Sequence, residues 1–140
     1  MTYSPLTTLV IITALVVPLA YADDSLAIVT AESSIVTSLT RKEVADLFLG
    51  KHKINIGGQS VTPIDVTEEA PRDMFYQQVA DMSAQRVNAY WARLVFSGQG
   101  RPPQQLSLTE AMALIKSQPG TVTYLPAQQA NGFKILLKLP

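Results

Sequence analysis

Residues 61–79, VTPIDVTEEAPRDMFYQQV, hold the most suggestive chemistry of the chain. An apolar strand pattern over Val61–Val66 runs through the loop Thr67-Glu68-Glu69-Ala70-Pro71 into an amphipathic helix, and Pro71 suits that helix's first turn. A loop that delivers the chain to a helix N-terminus is a natural place to hold an anion, because open N–H groups and the helix dipole converge there. This loop, however, offers two glutamates and no glycine. Glu68 and Glu69 read as helix-start carboxylates favoured by the dipole, ahead of a metal corner or an acid pair.

Other chemistry is sparse, and the chain does not read as an enzyme. Without cysteine there is no thiol nucleophile and no disulfide. The one histidine, His52, falls in GKHKIN just after a helix end. It reads as a solvated loop residue, since an isolated imidazole supplies no mechanism. One histidine and scattered acids make no metal site, and no cofactor motif is present. FSGQGRPP has two glycines but follows a helix and lacks the lysine–hydroxyl pair of a phosphate loop, so it reads as a connector. Tyr90 and Trp91 could form a stacking platform, but they share a stripe with Val87, Leu94 and Val95 at i, i+3, i+4, i+7, i+8, which assigns them to the core.

The elements that must position these residues alternate in type. LAIVT reads as a buried strand. Thr40 and Glu43 form a capping box ahead of Val44, Leu47 and Phe48, with Gly50 as the stop. Gly57-Gly58 marks a hairpin. Ser83 caps a helix, and Ser107 with Glu110 opens another, ended at Pro119-Gly120. RPPQQL reads as a stiff extended connector. TVTYL and FKILLKL close the chain as strands, the second placing Phe133, Ile135, Leu137 and Leu139 on one face. The order β-α-(β)β-α-α-α-β-β predicts an α/β layer fold.

Length and composition fit one globular domain. The chain has 140 residues, 47% hydrophobic and 16% charged, with eleven basic and eleven acidic side chains. No basic run points to nucleic acid. Residues 1–22 carry no charged side chain, have an apolar stretch from Leu9 to Leu19 and end in Ala20-Tyr21-Ala22. They read as a signal peptide cleaved after Ala22, which leaves 23–140 as the mature, exported domain. A chain of this kind fits a bacterial periplasm.

LTRKEVADLFLGK, the later VTPIDV, YWARLVFSGQGRPP and PGTVTYL, taken in this order, resemble the phosphate ABC-transporter substrate-binding proteins of the type II periplasmic-binding-protein superfamily, and more closely its short single-lobe exported relatives. The resemblance implies a single lobe with a mixed sheet flanked by helices, and a ligand that is phosphate or another small oxyanion. It carries ligand roles onto Thr67, which keeps a hydroxyl, and Arg72, which keeps a guanidinium. Ser33 and Ser34 are the other candidate donors, or else cap their own turn. The family's glycine is absent from the loop, Pro71 deletes an N–H, and Thr123 replaces the second glycine of the closing motif. Two functions follow from it: a periplasmic solute-binding protein of the ABC-transporter type, or a ligand-free interaction or sensory accessory module. A second lobe, a homo-oligomer or a membrane protein would be the partner.

Overall fold

The computed structural model describes Thr2 and residues 24–140. Apart from Thr2, the expected leader and its cleavage site lie outside the described residues. A buried strand β1 (Leu26–Thr30) leads to helix α1 (Arg41–Phe48). The hairpin β2 (Ile54–Ile56) and β3 (Gln59–Val66) follows. Helices α2 (Glu69–Ala80) and α3 (Ala84–Phe96) come next, then β4 (Gln104–Leu106) and α4 (Leu108–Ser117). Strands β5 (Thr121–Pro126) and β6 (Lys134–Leu139) complete the chain.

The sheet order is β2-β3-β5-β1-β6, with β4 on β3. Strand β3 runs parallel to β4 and β5, whereas β1 runs antiparallel to both β5 and β6. The result is a mixed sheet flanked by helices, with α1 and α2 packed on β3 and α4 on β5 and β3. The local signals act as their chemistry requires. Thr40 and Glu43 close a full capping box, and the Ser83 and Ser107 side chains accept the N–H groups of Arg86 and Glu110. The two hairpin-turn residues, Gly57 and Gly58, have φ of 56° and 82°, the left-handed pair that a two-residue turn demands.

Three expectations are corrected. RPPQQL is not only a connector: Gln104–Leu106 pairs with Ile64–Val66 as soon as the prolines, which cannot donate to a ladder, are passed. In the last strand a bulge pairs Ile28 with Leu137 but Val29 with Ile135, leaving Leu136 as the extra residue. The extra residue resets the alternation, so Leu136 is buried and Ile135 is exposed, the reverse of a regular strand. Val95, expected in the core stripe, is 50% exposed, and Phe96 beside it is 95% exposed. Trp91 is core, at 6% exposure.

Candidate functional site

The C-terminal end of β3 hands the chain to α2, and Asp65 is the hub of this corner. Asp65 is 2% exposed and, because a buried charge is tolerated only when paired and hydrogen-bonded, its carboxylate gathers donors from four elements. Arg72 Nε lies 3.0 Å from Oδ2, Tyr76 hydroxyl 3.1 Å and Gln105 Nε2 3.4 Å. Oδ1 accepts the Val66 N–H at 2.9 Å and the Tyr124 hydroxyl. Seven residues separate Asp65 from Arg72, so the strand end and the first turn of α2 suffice to form the pair.

Aromatic packing fixes the cluster. The Phe75 and Tyr124 rings stack at 3.9 Å with planes 6° apart, Phe48 meets Phe75 edge-on at 4.7 Å, and the Arg72 guanidinium lies 5.4 Å from the Tyr76 ring centre. Burial, and next the Asp65 charge, push both the Tyr76 and Tyr124 hydroxyls well above their ordinary value. Both therefore stay neutral and act as donors.

The expected ligand residues sit in different surroundings. Arg72 is 7% exposed and its Nε is committed to Asp65, with Nη1 3.5 Å from the Ala84 carbonyl. It is not an open fork. Thr67 is exposed, and its N–H donates to Leu106. Glu68 is the N-cap of α2 but makes no side-chain cap there. Both its oxygens instead accept the Leu108 N–H at 3.0 Å, so the carboxylate sits on the first turn of α4. A resident anion thus occupies a helix N-terminus of the kind that would attract a free one.

Ser33 and Ser34 lie elsewhere. Strand β1 runs against β5, and β5 runs with β3. The loop after β1 therefore emerges at the end of the sheet opposite to Thr67 and Arg72. Ser33 is exposed, while Ser34 is buried, with its Oγ accepting the Val36 N–H and its carbonyl accepting Lys134 Nζ. The four candidate residues thus fall at two places, Thr67 and Arg72 at one end of the sheet and Ser33 and Ser34 at the other. Sequence reasoning missed Asp65, whose only local signal is one carboxylate between the apolar Ile64 and Val66 of β3.

No family model and no curated protein matches the sequence. Solved structures do match. One is a putative phosphate ABC transporter substrate-binding protein with bound phosphate from Clostridium perfringens, with TM-score 0.61 and 15% identity, covering 81% of this chain and 44% of that one. Another is an ABC-type phosphate transport receptor from Vibrio cholerae, with TM-score 0.59 and 16% identity, covering 83% of this chain and 47% of that one. The chain has the fold of these binding proteins and spans less than half their length, which fits the single-lobe expectation.

Proposed function

We propose that this chain is an exported bacterial periplasmic module on a solute-binding-protein fold, in which the oxyanion corner has been filled from within, and that it works as an interaction or sensory accessory rather than as a phosphate receptor. One observation carries this reading: two of the groups that could hold an oxyanion near the β3–α2 corner are already spent, Arg72 on Asp65 and the α4 N-terminus on Glu68. The exposed apolar step at Val95 and Phe96 supports an interaction role, since large exposed apolar groups mark contact surfaces. A protein partner, either a membrane protein or a second lobe supplied by another copy of the chain, fits a fold that spans less than half of its structural neighbours.

The test is a calorimetric titration of purified 23–140 with phosphate and sulfate at fixed ionic strength. The reading expects no saturable binding by wild type or by Glu68→Gln. A micromolar dissociation constant for either would overturn it. Export itself is checked by N-terminal sequencing of the periplasmic fraction, which should start at Asp23; a chain retaining Met1 in the membrane would contradict cleavage.

A second reading has its own support. No side chain caps α2, and Thr67, Glu69 and Ala70 at its start are exposed, while one structural neighbour was crystallised with phosphate. On that reading Thr67 and Arg72 hold phosphate, or another oxyanion, with a dissociation constant no tighter than ~0.1–1 mM, because one lobe leaves the ligand wet. Saturable millimolar binding lost in Thr67→Ala would select it.

A further inference from the structure

We propose that a cavity beside the middle of β3, between β2 and β4, binds a small organic anion that carries one charged group on an apolar body. The cavity follows from how β3 is shared. Strand β2 pairs with its first residues, Gln59–Val61, and β4 pairs with its last, Ile64–Val66. Thr62 and Pro63 between them join Ile54 of β2 and Gln104 of β4 in the cavity wall. The Thr62 N–H is spent on the Gly120 carbonyl beside β5. Successive N–H groups of a strand point to opposite edges, so the next would face the gap between β2 and β4, and Pro63 has none. The gap therefore leaves no orphan donor and remains open as a space of ≈ 570 Å³. That volume is within the usual range for small-molecule sites.

Its lining has the composition of a site for an amphipathic anion. Lys53, at the hairpin entry, and Arg101, in the connector after α3, contribute cations to the lining, and no aspartate or glutamate lines the space. In a chain whose eleven basic and eleven acidic side chains cancel, this is a local excess of one sign. The nearby acid Asp46 is held by Lys42 at 2.6 Å and by His52 at 3.2 Å, and is thus already matched. Leu47, Leu94, Trp91 and Pro102 supply apolar wall, so a bare oxyanion would leave that surface unused. Trp91 Nε1 is, among the described residues, the buried side-chain polar atom without a hydrogen-bond partner. That nitrogen is itself out of reach of solvent, so it senses changes in the cavity wall to which its ring belongs rather than contacting the ligand. An arginine fork and a flexible ammonium suit a carboxylate or a phosphate monoester equally.

Trp91 is the one tryptophan of the chain, so a single indole N–H resonance reports on the cavity. Purified 23–140 is titrated with phenyl phosphate, benzoate, benzyl alcohol and inorganic phosphate. The expected result is a saturable indole shift with phenyl phosphate or benzoate, at least about tenfold tighter than with benzyl alcohol or inorganic phosphate. Arg101→Ala, Lys53→Ala or both weaken it roughly fivefold, the scale of one partly exposed ion pair. Both residues are exposed, so the fold is retained, and Thr67→Ala at the β3–α2 corner changes nothing. No indole shift, equal affinity for benzyl alcohol, or indifference to both cation substitutions would overturn the assignment.

Discussion

Replacing Arg72 by methionine removes the guanidinium and keeps much of the stem. Asp65 would then be a buried carboxylate without its cation, with the two side chains only 3% and 8% exposed in the native pair. At 3.0 Å, and with the effective dielectric near 20 that describes protein sites, the gross attraction is about 5–6 kcal/mol. Desolvation of both ions offsets much of that in the intact pair, but the penalty on Asp65 stays when its partner is lost, and breaking such pairs costs about 3–5 kcal/mol. Four remaining donors, Tyr76, Tyr124, Val66 N–H and Gln105, soften the loss. The expected cost is therefore about 3 kcal/mol, a large part of the ~5–15 kcal/mol that holds a domain together. Urea unfolding followed by the fluorescence of buried Trp91 should show the midpoint fall by roughly 1–3 M. In an Asp65→Asn background the same substitution should cost at least ~1.5 kcal/mol less, because no buried charge is then stranded. An unmoved midpoint, or strictly additive costs, would refute the view that Arg72 serves Asp65.

Three further outcomes follow from the same geometry. Tyr76 and Tyr124 have raised folded values, so their contribution is whole below the ordinary tyrosine value of 10.0 and is lost as pH climbs above it, where only the unfolded chain releases these protons. Urea midpoints should fall above that pH with a slope of up to ~2.7 kcal/mol per unit for the two groups together, and the Tyr76→Phe/Tyr124→Phe protein should lack this component; a parallel decline in both proteins would contradict it. A Cβ on Gly50, at φ 68°, would meet the Trp91 ring at 2.8 Å, whereas one on Gly98, at φ 72°, meets nothing. Gly50→Ala should thus cost about 2–4 kcal/mol and Gly98→Ala only ~1–2, checked by thermal melts; equal losses would remove the clash from the account. Glu68→Ala should cost about 0.5–2 kcal/mol by opening the α4 N-terminus, with faster amide exchange at Leu108 as the signature; unchanged exchange there would show that the carboxylate caps nothing.

Much of the scaffold was legible because its signals are local. The Gly57-Gly58 hairpin, the Thr40–Glu43 box, the Ser83 and Ser107 caps and the burial of Trp91 each depend on a few neighbouring residues. What escaped depends on partners far along the chain. The Leu136 bulge is set by pairing with β1, and no feature of FKILLKL alone announces it. Glu68 reads as serving its own helix, yet its acceptor role is on α4, forty residues away. Asp65 looks like a minor interruption of an apolar strand until Tyr124 and Gln105 arrive from β5 and β4. Whether Ser33 and Ser34 share an end of the sheet with Thr67 depends on β1 running against β3, and strand direction is not written in hydrophobic periodicity.

On the proposed function, Arg72 is an internal structural cation and not a ligand for solution anions. The most direct measurement is the Nε–H resonance of Arg72, observed by NMR in purified 23–140 while phosphate is added at constant ionic strength. The expected signal is protected from solvent exchange, unmoved by phosphate, and lost or made labile in Asp65→Asn. A saturable shift of that resonance with phosphate, or rapid exchange with water in the wild-type protein, would contradict it.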